Sequence, residues 1–121
     1  MRRSETEMEQ PAITILNANS IMTIATARPD GWPQATIVGY ANEGWSLYFL
    51  IYRDSQKLAN ILRDNRVAIT VGSEPSDIRN IKAVYAGCEA FELDELAERS
   101  HAWNLLAQRH TNLTDLAPPQ S

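Results

Sequence analysis

The sequence predicts a mainly β domain with flanking helices, its sheet curling towards closure. Three observations carry that expectation. Residues 33–52 hold two extended stretches joined near Gly44, short β-branched runs recur on either side of them, and helical spacing is confined to three stretches.

Taken in order, Pro11 suits the first turn of a helix, and Ile13 and Leu16 can share a face, which predicts a short helix from about Glu9 to Asn17. Ser20 to Ala27, SIMTIATA, has the β-branched content of a strand. Arg28, Pro29, Asp30 and Gly31 then turn the chain into a second strand from Gln34 to Ala41. Tyr40 to Trp45 form the next connection, with Gly44 supplying a positive φ, and Trp45 to Tyr52 follow as a strand. In that strand Trp45, Leu47, Phe49 and Ile51 alternate with Ser46, Tyr48, Leu50 and Tyr52, so neither face is made for water. A barrel interior on one side and a partner subunit on the other would cover both; the other solution is a helix of the same chain.

SQKLANILRDN spaces Leu58, Ile61 and Leu62 as a helix of about ten residues, with Ser55 or Asp54 as its N-cap and Asn65 as its stop. Arg66 to Ser73 is a strand with Val67, Ile69 and Val71 on one face, broken by Glu74 to Asp77. Ile81 to Phe91 is long for one strand, and Gly87 near its middle predicts a bend or bulge. Asp94 is expected to cap a last amphipathic helix to Arg109, packing through Leu96, Ala97, Trp103, Leu106 and Ala107.

At 121 residues the chain makes one domain, 1–121, with 1–8 and 112–121 expected to be flexible. A net charge of −4 argues against nucleic-acid binding, which needs clustered Lys and Arg. No apolar run reaches the ~20 residues of a membrane span, and MRRSETEMEQ lacks the apolar core of a secretory signal, so a soluble cytoplasmic protein without membrane contact is expected. Cys88 is the only cysteine, which excludes an internal disulfide and a multi-cysteine metal site; it is read as a small core residue.

The chemistry concentrates at one place. Arg53, Ser55 and Lys57 alternate across the passage from strand to helix, setting two cations and a hydroxyl beside free backbone N–H groups. Cations at a helix N-terminus oppose the dipole, so their presence suggests a bound anion; the alternative is that Asp54 neutralises them while their stems cover apolar surface. Trp32, Tyr40, Trp45, Tyr48 and Tyr52 are available to stack on a planar ring. The glycines are scattered singly, unlike a dinucleotide-binding loop. His101 and His110 lack metal-ligand spacing, and Ser55 lacks a local base, so no metal site or catalytic side chain is assigned.

RPDGWP followed by ATIVGY, then WSLYFLIY, DSQKLANILRDNRVAITV and AVYAGCEAF, resemble in order and spacing the FMN-binding split-barrel family related to pyridoxamine 5'-phosphate oxidase, over roughly Ile13 to Leu106. The resemblance implies a homodimeric split barrel with FMN at the subunit interface. It places the flavin ring along Thr36, Ile37 and Val38, and the phosphate by Ser55 and Lys57. Arg53 is the further cation of that cluster, and Tyr52, with Ile51, stands where many members place a flavin-contacting Thr or Ser. A flavin-dependent oxidoreductase acting on a small-molecule substrate follows, since the flavin itself transfers hydride. The alternative on the same fold is a non-enzymatic sensor, carrier or interaction protein binding flavin, haem or deazaflavin. The C-terminal arginine and histidine that hold substrate in the true oxidases have no counterpart, and APPQS cannot supply the last strand common in the family. Five strands would then leave an edge and an apolar surface for a second copy to bury.

Overall fold

The computed structural model describes residues 5–73 and 77–113. Three α-helices, six strands and one short 3₁₀ turn (Ile78–Asn80) follow one another as α1 (Glu5–Ala18), β1 (Ile21–Ala27), β2 (Pro33–Gly39), β3 (Ala41–Glu43), β4 (Ser46–Tyr48), α2 (Gln56–Arg63), β5 (Arg66–Ser73), β6 (Lys82–Glu89) and α3 (Leu96–Arg109). Four strands form one antiparallel sheet in the order β2-β1-β5-β6, and β3 and β4 form a separate two-stranded ribbon. The expected mainly β architecture with flanking helices is present. Closure is not: β2 and β6 remain as edges.

Alternation decides what the large sheet buries. Met22, Ile24 and Thr26 of β1, Val67, Ile69 and Val71 of β5, and Val84 of β6 turn inward and are buried. Leu16, Tyr40 and Ile61 complete this core, and Leu47, Phe49 and Ile51 pack against it. Fully burying one such aliphatic side chain is worth about 1.5–3 kcal/mol, so this layer holds the fold. A second, smaller cluster of Ala41, Leu106 and Leu113 is joined by Tyr48, Leu50 and Trp103.

These two clusters correct the reading of residues 45–52. Only Ser46–Tyr48 pair as a strand, and Phe49 to Tyr52 run on without ladder bonds. Odd positions from Leu47 to Ile51 face the main core, while Tyr48 and Leu50 face α3. A helix of the same chain therefore covers the second face, and no partner is needed there. Apolar residues on both sides look the same whatever covers them, which is why the sequence left both solutions open.

Other boundaries shift for local reasons. α1 begins at Glu5 rather than about Glu9, and Pro11 lies inside the helix rather than in its first turn. At the other end Leu113 is buried; residues 1–4 and 114–121, where the expected flexible ends mostly fall, lie outside those described. β6 pairs with β5 without interruption from Arg66↔Glu89 to Ser73↔Lys82, so Gly87 marks no bulge. An eight-residue partner in register outweighs one permissive residue. α3 starts at Leu96 with Glu95 at the cap and no side-chain capping bond, so Asp94 is not the cap. Leu96 and Leu62, both expected to pack, are exposed.

Two glycines are required where they stand. Gly44 has φ +59° in the β3–β4 turn, a conformation that costs other L-residues about 1–2 kcal/mol. A Cβ on Gly39 would lie 2.9 Å from the His110 ring. That ring donates from Nε2 to the Tyr40 carbonyl at 2.9 Å, tying the end of α3 to the β2–β3 junction. Arg109 strengthens the same joint: it donates to Asn42 Oδ1 at 2.7 Å, and its guanidinium stacks 5.4 Å from the Tyr40 ring centroid.

Candidate functional site

The sequence-predicted residues fall on two adjoining elements, β2 and the segment entering α2. On β2 the pleat separates them. Thr36 and Val38 turn inward, and Val38 packs against the core. Ile37 turns outward and is 71% exposed. A planar ring lying on the outer face of this strand therefore meets the Ile37 side chain and the backbone. Because β2 is an edge strand, its backbone also has groups outside the ladder that can hydrogen-bond a ligand. Thr36 adds a further signal: its Oγ1 is buried without a hydrogen-bond partner among the described residues. Native buried hydroxyls are nearly always paired, so an orphan here is unusual.

At the start of α2, Ser55 is the N-cap. Its Oγ accepts from Leu58 N at 3.1 Å and donates to the Tyr52 carbonyl at 2.8 Å. The hydroxyl is thus engaged in shaping the turn, which leaves the backbone N–H groups of Gln56 and Lys57 as the open donors of the first turn. Lys57 belongs to the inward stripe of α2: Lys57, Leu58, Asn60 and Ile61 have i, i+1, i+3, i+4 spacing, and Leu58, Asn60 and Ile61 are buried. Its stem is accordingly covered, and burial lowers the pKa of its ammonium. Among the described residues no acidic group pairs with it. Asp54 does not neutralise the cluster, because it makes no ion pair with Arg53 or Lys57. Arg53 and Tyr52 are exposed beside the turn.

A buried polar bracket, absent from the sequence reading, joins the two elements. Asn60 donates from Nδ2 to Thr26 Oγ1 at 2.9 Å and to Gln34 Oε1 at 3.2 Å, and its Oδ1 accepts from Gln56 Nε2 at 2.8 Å. Gln34 is two residues from Thr36 on the same face of β2, and Gln56 adjoins both Ser55 and Lys57. An amide inside an otherwise apolar stripe was the available signal.

The aromatic candidates divide by burial. Tyr40 is fully buried, donates from its hydroxyl to the Leu16 carbonyl at 2.6 Å, and has its phenol pKa raised by that burial, so it is structural. Tyr48 is half-buried and meets His101 edge-on at 6.2 Å. Trp32, Trp45 and Tyr52 remain exposed. His101 lies 3.2 Å from a Glu43 carboxylate oxygen on the surface, and among the described residues no cluster of His, Cys, Asp or Glu has the arrangement of a metal site. Cys88 is half-buried against the core, which raises its thiol pKa. No helix among the described residues is long and apolar enough to cross a membrane.

A cavity of about 640 Å³ lies between the inner face of the sheet, the β4 segment and α3. Ile24, Ile69, Phe49, Cys88 and Trp103 are among its walls, with Arg53 and Arg99 also lining it.

Comparison with known proteins bears on the fold. The sequence profile of the family described as pyridoxamine 5'-phosphate oxidase matches residues 8–120. Among solved structures, a conserved hypothetical protein from Mycobacterium tuberculosis superposes with a TM-score of 0.77 at 22% identity, over 96% of this chain and 72% of its own. A heme binding protein from Mycobacterium smegmatis gives 0.82 at 20% identity, and this chain covers 49% of its length with 99% of its own. A FAD-binding protein from Mesorhizobium loti gives 0.73 at 26% identity, over 98% of this chain and 81% of that one. No match is found among curated proteins.

Proposed function

Because the chain belongs to the pyridoxamine 5'-phosphate oxidase family, we propose that it is a cytoplasmic FMN-binding flavoprotein, a flavin-dependent oxidoreductase acting on a small-molecule substrate. The observation that carries this reading is the half-buried ammonium of Lys57, without an acidic partner among the described residues, beside the open N–H groups of the α2 first turn. Partly desolvating a lysine without a counter-charge is costly, and a phosphate at that spot would supply the charge. The bound flavin supplies hydride transfer. The chain's own residues bind and orient it: Lys57 and the N–H groups of Gln56 and Lys57 hold the phosphate, Ser55 shapes their turn, and Ile37 with the edge backbone of β2 supports the ring. Arg53 adds positive charge, and Tyr52 offers a ring face beside the turn.

Homodimerisation belongs to the same reading. The outer face of the large sheet carries exposed Ile21, Ile37 and Tyr85 among alanines and glycines, a surface suited to a second copy that would also enclose the ring. The fold's likeness to a heme binding protein and the apolar cavity favour a second reading, a non-enzymatic haem, flavin or deazaflavin carrier or sensor. An absorption spectrum of the purified protein, followed by titration with FMN, tests both. Flavin bands and saturable FMN binding support the FMN site, and reoxidation of the reduced bound flavin by a small-molecule acceptor then separates the oxidoreductase from a flavin carrier; a haem band instead overturns the FMN reading in favour of the haem carrier.

A further inference from the structure

We propose that Asn60 is the positioning residue of the cofactor site, its carboxamide setting the first turn of α2 at a defined spacing from the edge strand β2. The inference rests on the reading of Lys57 as the phosphate contact. Asn60 is completely buried, yet its neighbours on the inward stripe, Leu58 and Ile61, show that packing alone would be served by an aliphatic side chain. A buried amide gains only about 0.5–1.5 kcal/mol for each bond it makes, little more than well-packed apolar groups would, and costs about 1–3 kcal/mol for each group left unpaired. What it adds is direction. Apolar contact is non-directional and lets a helix slide or roll; hydrogen bonds from Asn60 to two strands, β1 and β2, do not, and the third, to Gln56, ties the amide to the first turn of its own helix.

Each bond leads to a place the site uses. Gln34 Oε1, 3.2 Å from Asn60 Nδ2, belongs to the strand that would support the ring. Gln56 Nε2, 2.8 Å from Asn60 Oδ1, belongs to the turn that would hold the phosphate. Thr26 Oγ1, at 2.9 Å, anchors the bracket to β1 between them. FMN has its ring and phosphate at opposite ends of one ribityl chain, so a site that engages both must hold its two halves at a matching separation before the ligand arrives.

Two variants and one control test this. Asn60→Leu removes the whole bracket; Gln34→Leu, at a half-buried position, cuts only the link to β2 and keeps the fold testable should Asn60→Leu not fold. Gln34→Glu retains an acceptor for Asn60. The readouts are the ratio of riboflavin to FMN dissociation constants and hydrogen exchange of the Leu58 and Ala59 amides, which bond to the Ser55 side chain and carbonyl. The expected result is a ratio lowered about tenfold in Gln34→Leu, the scale of one charge-assisted contact misplaced, with faster exchange in the α2 first turn and recovery of both in Gln34→Glu. Equal loss for the two ligands, or an unchanged ratio in a folded Gln34→Leu protein, overturns the proposal. If the parent binds neither flavin, the FMN reading fails by itself. Exchange at Leu58 and Ala59 then decides the bracket separately: unchanged exchange in Gln34→Leu overturns it, and faster exchange retains it.

Discussion

The two faces of the four-stranded sheet obey one alternation but meet different fates. Inward residues such as Ile24, Ile69 and Val71 are almost completely buried by α1, α2 and the β4 segment. Several outward residues are no more polar: Ile37 and Tyr85 are 71% and 85% exposed, with Thr23 and Thr70 between them and Ala35, Ala25, Ala68 and Gly87 alongside. Register lines Ile37, Thr23, Thr70 and Tyr85 into one row across all four strands, beside a row of Ala35, Ala25, Ala68 and Gly87. These two rows, with small side chains in the middle and large apolar ones on the edge strands, differ from an ordinary solvated surface, where long polar side chains would alternate outward. The contrast teaches that burial within one chain and suitability for burial are separate properties of a strand.

The sharpest way to break the comparison is an inner truncation. Ile24→Ala should destabilise by about 2–5 kcal/mol, the usual cost of removing a fully buried aliphatic side chain; denaturant unfolding measures it, and a loss under 1 kcal/mol would mean that the inner face is not the core. The outer face should behave differently. Ile37→Asp is expected to leave the protomer folded by circular dichroism while shifting sedimentation to the monomer at micromolar concentration, a loss of at least about 2 kcal/mol of association if Ile37 is a central contact. Loss of folding in Ile37→Asp would show that this face stabilises the protomer itself.

Lys57→Ala sharpens the contrast at the rim, where the α2 turn approaches β2. Alanine is tolerated at a helix start, so the fold should persist. The lost contact of about 1.5–3 kcal/mol should weaken FMN binding roughly ten- to a hundredfold, with little change for riboflavin. Equal weakening of both would assign Lys57 a structural role. Because burial lowers the Lys57 pKa, FMN affinity should fall with rising pH before the ordinary lysine range is reached.

The smallest effect belongs to the opposite end of α2. Arg66 hydrogen-bonds the Asp64 carboxylate and holds its pKa down to about 2. A carboxyl depressed in the fold stabilises above its unfolded pKa, and that contribution disappears as pH falls through the folded value. Asp64→Asn should therefore cost a little stability at neutral pH and remove the matching decline between about pH 4 and 2, both small because the Arg66 partner is largely exposed and the pair is screened. A large loss at pH 7 would contradict this.

Local chemistry made part of this molecule legible. β1 and β5 follow from β-branched alternation, the β3–β4 turn from Gly44, and the start of α2 from Ser55, which caps it as its side chain allows. The cation cluster at residues 53–57 was also visible, because the charges are adjacent in sequence. The length of β4 was not, since Trp45 to Tyr52 is apolar on both sides and ladder pairing depends on a partner strand elsewhere. Leu62 reads as part of the α2 core face, yet the inward stripe runs through Asn60 instead.

By itself, then, the order of residues determined which segments extend, which coil into helices, where the sharp turns fall and where positive charge gathers, because those choices turn on contacts within a few residues. Tertiary structure decided which apolar face α3 covers, that the sheet stays open with β2 at its edge, that Thr36 Oγ1 is buried without a partner, and that Asn60 joins α2 to β1 and β2 across 34 and 26 residues of sequence. Those outcomes depend on pairs of groups far apart in the chain, and neither member of such a pair carries a mark of the other until packing brings them within a hydrogen bond's length.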